Sequence, residues 1–381
     1  MKALIVTEAY VPRVGGGVRY EVDMVRYFRG KGHWVDVLTV NSERSWRMDH
    51  ETDATQSGGG CVYRAPLQLS FDGAWLSSGV ASFLWRKLPE YDILHFNVPN
   101  PIGELAYRFA HVRRGSRPAA VCFYHADVVS AKRLHHLYNR CIASKHLQLV
   151  DRIIVSNPTM LESSPLLHEH RSKVQIIPFG VDLRRYSVHQ ELINKVKLDD
   201  QTLNLLFVGR MCRYKGLDYL LRAMKSAPGH LRIVGSGPLE SQIVHLRAEL
   251  GLEQKVDLLG FVPDDELLKL YADADVLVLP SIDRGEAFGY VLIEAMAMRT
   301  AVISTELGTG TSFVNQDGCT GFVIPPRDVG ALVAAIRRLD ENRSLLASLK
   351  LQARKRVEEH FSLDMMLDRT EALYRELGLP V

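Results

Sequence analysis

The stretch from Gly285 to Ala297 decides how this chain folds: Gly-Glu-Ala-Phe-Gly-Tyr-Val-Leu-Ile-Glu-Ala-Met-Ala. It follows a strand-like segment, and a helical pattern of apolar residues begins near Gly289, so it predicts a strand–turn–helix unit. The free N–H groups of the helix start would face the turn and form an anion site. Glu286 would lie on that turn, and Glu294 more than one helical turn further along.

Two acids beside an anion site favour a ligand that carries both phosphates and hydroxyl groups. A carboxylate next to a bound phosphate is unfavourable unless it also accepts a hydrogen bond from a sugar or ribose hydroxyl. A nucleotide-sugar offers both groups. The alternative is a solvated helix start with two exposed acids, because acids eight positions apart are common by chance.

Outward from this stretch, strand-like and helix-like segments alternate along the chain, which predicts an α/β protein with parallel sheets covered on both faces. The expected strands are residues 2–7, 35–40, 61–64, 93–97, 119–124, 153–156 and 174–177, then 203–208, 231–234, 256–259, 276–279, 301–304 and 321–324. The clearest helices are residues 18–30, 217–227, 239–250, 264–272 and 329–339. The polar segment 42–60 ends in three glycines and is predicted to be a mobile loop.

Two Rossmann-like domains are expected, with a boundary near Pro178-Phe179-Gly180-Val181-Asp182. Residues 1–182 would form the first domain, residues 183–360 the second, and residues 361–381 a C-terminal helix. Two such units suggest a cleft in which ligands bind beyond the carboxyl ends of the strands.

Composition and charge exclude several classes of protein. The five cysteines have no paired spacing, which argues against a disulfide framework or a metal cluster. No apolar run approaches the ~20 residues that span a bilayer, and a strand-like pattern at Met1 leaves no room for a signal peptide.

The two halves of the chain differ in charge. Residues 1–190 hold 24 Lys and Arg against 17 Asp and Glu, whereas residues 191–381 hold 23 against 27. The first half is therefore expected to meet an anionic ligand or surface, although no aromatic and basic module favours nucleic acid.

Three glycine-containing loops also follow predicted strands. Residues 15–17 are glycines before a helix, but the second strand ends in Asn41 and lacks the acid of a dinucleotide fingerprint. In the loop of residues 209–216, Arg210 and Lys215 are either solvated cations or a clamp that holds a diphosphate and stabilises charge on its departure. The Gly-Ser-Gly-Pro turn of residues 235–238 is by itself a generic strand–helix connection.

His125 and Asn97 each end a predicted strand and are expected to face the cleft. His125 would donate a hydrogen bond to a sugar hydroxyl, or it is a structural histidine. Asp273-Ala274-Asp275 has the spelling of a metal motif but lies between a helix and a strand, so we interpret it as a cap.

Taken together, these motifs resemble those of the retaining glycosyltransferases of family 4, over essentially the whole chain. The resemblance implies the GT-B architecture, in which the second domain binds the donor and the first binds the acceptor, and the last helix crosses back to the first domain. It also implies that no metal or other cofactor takes part.

The same resemblance implies a set of site residues. It implies that His125 and Glu286 act at the donor sugar as catalytic residues. The implied donor-binding residues are Gly16, Gly17, Arg210, Lys215, Gly237, Phe261, Val262, Phe288, Gly289, Tyr290, Val291 and Glu294, the last at the ribose. The implied acceptor-binding residues are Gly15, Asn97, Asp127, Lys132 and Arg133. Phe261 is equally compatible with a core position.

The run Gly308-Thr309-Gly310-Thr311-Ser312-Phe313-Val314 lacks the acid that is usual at this place in the family. It resembles the version in bacterial O-antigen mannosyl- and D-rhamnosyltransferases. That likeness implies GDP-mannose or GDP-D-rhamnose as donor and an undecaprenyl-diphosphate-linked saccharide as acceptor. A UDP-sugar donor, a nucleotide-sugar epimerase on the same fold and a non-catalytic sensor of nucleotide-sugars stay open as alternatives.

The segment of residues 132–149 has helical periodicity. Its apolar positions are Leu134, Leu137, Tyr138, Cys141 and Ile142, and a second stripe carries Lys132, His136 and Arg140. The cations form either a solvated face or a peripheral contact with the anionic inner face of the bacterial cytoplasmic membrane.

Overall fold

The computed structural model describes residues 1–12, 16–41, 45–50, 58–71, 74–112, 117–126, 137–187 and 202–381. The chain divides into two compact units, Met1–Ile177 with Leu367–Val381, and Pro178–Met366. Each unit is built on a mainly parallel sheet. The sites predicted at Gly15, Asp127, Lys132 and Arg133, and the stripe residue His136, lie outside the described residues.

In the first unit, eight of the described strands form one sheet in the order β10-β9-β8-β7-β1-β2-β4-β3, and β5 and β6 form a separate hairpin. The strands are β1 (Lys2–Val6), β2 (Trp34–Asn41), β3 (Arg47–His50), β4 (Cys61–Pro66), β5 (Leu69–Phe71), β6 (Ala74–Leu76), β7 (Ile93–Val98), β8 (Ala119–Tyr124), β9 (Arg152–Val155) and β10 (Val174–Ile176). The helices are α1 (Gly16–Gly30), α2 (Ser78–Lys87), α3 (Pro101–Val112), α4 (Ser144–Leu149), α5 (Pro158–Ser163) and α6 (Pro165–His168). All six residues of β7 are buried, as expected for a central strand covered on both faces.

The prediction of a mobile loop over residues 42–60 was wrong for residues 47–50, and residues 42–44 and 51–57 lie outside the described residues. Residues Arg47–His50 form β3, which pairs antiparallel with β4 at the edge of the sheet. Asp49 accepts hydrogen bonds from Arg47 and Arg64, each at 2.8 Å, so ion pairs hold this strand where apolar alternation is absent. A polar edge strand of this kind leaves no periodic signal in the sequence.

In the second unit, six described strands form a parallel sheet in the order β13-β12-β11-β14-β15-β16. They are β11 (Asn204–Val208), β12 (His230–Val234), β13 (Val256–Gly260), β14 (Val276–Leu279), β15 (Ala301–Thr305) and β16 (Gly321–Ile324). The helices are α7 (Leu183–Ser187), α8 (Leu217–Met224), α9 (Glu240–Glu249), α10 (Asp264–Asp273), α11 (Tyr290–Ala297), α12 (Gly310–Val314), α13 (Val329–Glu341) and α14 (Arg343–His360). The last helix, α15 (Leu363–Glu376), begins in this unit and belongs to the first unit from Leu367 onward. The core of the unit joins these strands to α8, α13 and α14, and α8 buries Leu217, Leu220, Leu221 and Met224 at helical spacing.

The end of the chain packs in the first unit. His95 Nδ1 lies 2.7 Å from the Tyr374 hydroxyl, and the Tyr374 ring stacks on Phe28 at 5.1 Å between centroids. Lys31 pairs with Glu371 on the same helix. By contrast, residues 178–182, expected at the end of the first domain, group with the second unit, where Val181 bridges to Ser362.

Two smaller predictions also need correction. In the segment of residues 137–149, Leu137 is 57% exposed and Cys141 is exposed, whereas His146 and Leu147 are buried, so the packed face differs from the predicted apolar stripe. Asp275 does not cap a helix: its carboxylate accepts from the Asn204 backbone N–H at 3.0 Å and from Lys350 at 3.1 Å.

Candidate active site

A buried ion pair lies at the centre of the candidate site in the second unit. Lys215 comes from the loop after β11, and Glu286 from the loop before α11. Lys215 Nζ lies 2.6 Å from Glu286 Oε2, and each residue is only 7% exposed. The Ser281 hydroxyl donates to the same carboxylate oxygen at 3.0 Å. The pair is thus charge-compensated and hydrogen-bonded, which a buried ion pair requires.

The helix start beside this pair confirms the turn expected at Gly289. Gly289 has φ 79°, a left-handed conformation suited to glycine, and it is the N-cap of α11. Phe288 is buried, and its ring meets Phe179 at 5.0 Å between centroids, while the Tyr290 hydroxyl donates to the Gly180 carbonyl at 2.9 Å. The side chains of Phe288 and Tyr290 therefore anchor the motif to the start of the second unit.

Glu294 lies on α11 and is 5% exposed. Its Oε1 accepts from the Tyr186 hydroxyl at 3.3 Å, and its Oε2 accepts from the Tyr271 hydroxyl at 3.0 Å. The two tyrosines come from α7 and α10, so three helices fix the orientation of this carboxylate.

The turn before α12 holds the loop that carries Glu286. The Thr309 hydroxyl donates to the Glu286 carbonyl at 2.8 Å, and the Gly310 N–H donates to the Ala287 carbonyl at 2.9 Å. The Thr311 hydroxyl donates to the Thr305 carbonyl at 3.2 Å. The first two bonds hold the backbone at residues 286 and 287, and the third holds the turn that supplies them. Together they restrict the position of the Glu286 side chain.

The other predicted donor residues of this unit line strand ends. Arg210 is exposed, unlike Lys215, so the two cations of the loop have different surroundings. A Cβ at Gly237 would lie 2.6 Å from the Met211 carbonyl oxygen, so only glycine allows these two loops to approach. Phe261 is 78% exposed, which excludes a core position for its ring, whereas Val262 beside it is buried.

In the first unit, the start of α1 lies beside His125. A Cβ at Gly17 would be 3.7 Å from His125 Cε1, and the imidazole stacks on Phe123 at 4.6 Å between centroids. His125 Nε2 lies 3.0 Å from Asn97 Oδ1, so the Asn97 amide fixes the orientation of the imidazole. Burial lowers the pKa of His125 to about 4, so the ring is neutral near pH 7. Asn97 Nδ2 is buried and has no partner among the described residues.

Sequence reasoning missed the residues that position this site, namely Tyr186, Tyr271, Ser281 and Thr309. The contacts of Tyr186, Tyr271 and Thr309 join distant parts of the chain, which a local pattern does not signal. Ser281 is only five residues from Glu286, but a single serine in a loop gives no signal of its own. Within the described ranges, no group of three or more His, Cys, Asp or Glu side chains is placed to bind a metal ion. None of the described helices is long and apolar enough to cross a membrane.

Comparison with known proteins identifies the family. Residues 14–185 match the model described as Glycosyltransferase Family 4, and residues 188–356 match that of glycosyl transferases group 1. D-rhamnosyltransferase WbpZ of Pseudomonas aeruginosa is 33% identical over 95% of this chain and 92% of its own length. The chain belongs to family 4 of the glycosyltransferases. Another member, O-antigen chain mannosyltransferase C of Escherichia coli, is 35% identical to this glycosyltransferase over 76% of each chain.

Solved structures show that this family 4 glycosyltransferase has the GT-B fold. Sucrose-phosphate synthase from Thermosynechococcus elongatus matches it with a TM-score of 0.75 over 99% of both chains, at 22% identity. Anabaena Alr3699/HepE in complex with UDP matches with a TM-score of 0.73 over 99% of this chain and 100% of that one, at 18% identity. The predicted fold class is confirmed.

Proposed function

We propose that this glycosyltransferase moves mannose or D-rhamnose from a GDP-sugar to an undecaprenyl-diphosphate-linked saccharide, with retention of configuration, in the assembly of O-antigen or another cell-surface polysaccharide. The observation that carries the proposal is the Lys215–Glu286 pair beside the start of α11. It places a cation and the N-terminus of a helix, which suit a diphosphate, next to a carboxylate that suits sugar hydroxyls. The relatives from Pseudomonas aeruginosa and Escherichia coli, named as a D-rhamnosyltransferase and an O-antigen mannosyltransferase, support the choice of sugar and pathway.

In the proposed mechanism the donor diphosphate binds at Lys215, Arg210 and the helix start at Gly289, while Glu286 holds sugar hydroxyls and Glu294 the ribose. The bond between the anomeric carbon and the leaving phosphate oxygen breaks as the acceptor oxygen forms a bond to that carbon from the same face. The acceptor hydroxyl proton passes to the departing phosphate oxygen. His125 contacts the donor sugar, and its imidazole ring is neutral near pH 7.

Charge on the leaving diphosphate is stabilised, in this proposal, by the two side-chain cations and the helix N–H groups, with no metal ion. The enzyme would work in the cytoplasm, at the inner face of the bacterial cytoplasmic membrane, where a lipid-linked acceptor is held. Gly15, Asn97, Asp127, Lys132 and Arg133 stay the predicted acceptor contacts.

A panel of nucleotide-sugars with thermal-shift detection tests the donor, because a ligand that binds only the folded state raises Tm. We expect GDP-mannose or GDP-D-rhamnose to raise Tm more than UDP-sugars do, with the same shifts in excess EDTA. A larger shift with a UDP-sugar would overturn the donor assignment. Loss of the shift on chelation, restored by Mg²⁺ or Mn²⁺, would overturn metal independence. Conversion of the donor without any acceptor would favour the epimerase.

A further inference from the structure

In the turn before α12, the Thr309 hydroxyl bonds a neighbouring loop and does not cap its own helix. Thr309 is the N-cap of α12, where a threonine hydroxyl ordinarily accepts a hydrogen bond from a backbone N–H in the first helical turn. Here the side chain makes no such cap bond. It donates instead to the Glu286 carbonyl at 2.8 Å. The helix thus forgoes the stabilisation that a side-chain cap ordinarily gives.

The contact is buried and reinforced. Thr309 is 7% exposed, and its hydroxyl also lies 3.3 Å from that of Thr311. The Gly310 N–H bonds the next carbonyl of the same loop, that of Ala287. Two consecutive carbonyls, at 286 and 287, are therefore fixed by two consecutive residues of the turn, and the Glu286 carboxylate is fixed by Lys215 and Ser281.

We propose that Thr309 is a positioning residue that sets the place of the Glu286 carboxylate and thereby the affinity for the donor sugar. This inference rests on the proposed role of Glu286 at the sugar hydroxyls. Thr309 acts through the Glu286 backbone, so its loss should weaken recognition of the sugar while leaving recognition of the nucleotide diphosphate intact.

The test compares Thr309→Val, which keeps the branched shape and loses the hydroxyl, with Thr309→Ser, which keeps the hydroxyl. Thr320→Val is the control, because Thr320 is also fully buried and its hydroxyl bonds Asn315 Oδ1 and the Gln316 N–H, away from Glu286. In the free protein, hydrogen exchange over residues 283–289 should be faster in Thr309→Val than in the wild type. It should stay at the wild-type rate in Thr309→Ser and Thr320→Val. Equal exchange in all four proteins would overturn the inference.

Calorimetry with GDP and with GDP-mannose supplies the second measurement. We expect Thr309→Val to bind GDP-mannose about tenfold more weakly and GDP within about twofold of the wild type. In a Glu286→Gln background the same substitution should have no further effect on either ligand. Equal weakening for GDP and GDP-mannose would overturn the inference. If the wild type binds GDP but shows no gain from the sugar, the proposed donor fails, and the exchange measurement alone decides the role of Thr309.

Discussion

At the scale of the residue, the Lys215–Glu286 pair explains how the candidate site holds two buried charges. An isolated buried ammonium or carboxylate would be strongly unfavourable. Here each charge compensates the other, and the Ser281 hydroxyl satisfies a further lone pair of Glu286. A ligand that carries both phosphates and hydroxyl groups can then contact both members of the pair.

Lys215→Ala should lower kcat/KM at least ~100-fold, because loss of one group that stabilises charge in the transition state costs roughly 3 kcal/mol. Steady-state kinetics, corrected for the folded fraction by circular dichroism, measure this. Arg213→Ala is the matched control, since Arg213 is an exposed cation on the same loop, and it should stay within about twofold of the wild type. Kinetics of Lys215→Ala within a few-fold of the wild type would remove Lys215 from the site.

The charged residues proposed for the site stand out in the sequence more clearly than the residues that contact them. Glu286 and Lys215 stand out because charged residues occur in glycine-containing loops after predicted strands. Tyr271 and Tyr186 gave no such signal, because each reaches Glu294 only through the packing of separate helices. Their hydroxyl groups belong to otherwise ordinary buried aromatic side chains.

At the scale of the element, α1 buries an acid that the fold holds in its neutral form. Glu21 is buried, its Oε1 accepts from the Thr7 hydroxyl at 2.5 Å, and its Oε2 has no partner among the described residues. Burial raises the pKa of Glu21 to about 8. The unfolded chain ionises this group near its ordinary pKa of about 4.5. Between these values the unfolded state binds fewer protons, so the contribution of Glu21 makes stability fall as pH rises.

Glu21→Gln should therefore become more stable than the wild type as pH rises from about 5 to 8. Each unit of pKa difference between the folded and unfolded states corresponds to about 1.4 kcal/mol, so the free energy of unfolding of the wild type should fall by roughly a few kcal/mol relative to that of Glu21→Gln over this range. Denaturant unfolding at several pH values measures it. Glu249→Gln, at an exposed position on α9, should show no such trend. A difference between Glu21→Gln and the wild type that does not change with pH would contradict the assignment.

Several buried strands with continuous apolar runs were predicted with their bounds, whereas the polar strand β3 and the short strands β5 and β6 were not predicted. β8, β14 and β16 have the predicted bounds, because buried parallel strands form continuous apolar runs. β3 was missed because Asp49 and two arginines stabilise it at a sheet edge. The prediction of the packed face of residues 137–149 was wrong because contacts with the rest of the unit, and not the local apolar pattern, determine which side of the helix is buried.

At the scale of the whole molecule, the basic first half and an exposed segment support a peripheral contact with anionic lipid. Leu137, 57% exposed, lies on the same helical segment as the exposed Arg140, so an apolar and a cationic side chain both face solvent there. Each cation near an anionic bilayer contributes about 1 kcal/mol, and the attraction decays within ~10 Å at 0.1 M salt.

Cosedimentation with anionic liposomes should therefore be strong at low ionic strength and weak at about 1 M salt. Replacement of Lys132, Arg133 and Arg140 with Ser should reduce the bound fraction severalfold. The matched control replaces three exposed cations of the acidic half, Arg213, Arg222 and Lys225, and should leave binding unchanged. Equal binding to neutral and anionic vesicles, or binding to neither, would contradict the membrane contact. The assignment to the glycosyltransferases does not depend on this result.

The most direct test of the central claim is the stereochemistry of transfer. The purified enzyme is incubated with GDP-mannose or GDP-D-rhamnose and an undecaprenyl-diphosphate-linked saccharide, and the anomeric configuration of the new linkage is read by NMR. We expect a saccharide lengthened by one hexose whose anomeric configuration is that of the donor. An inverted linkage, or transfer only from a UDP-sugar, would contradict the account.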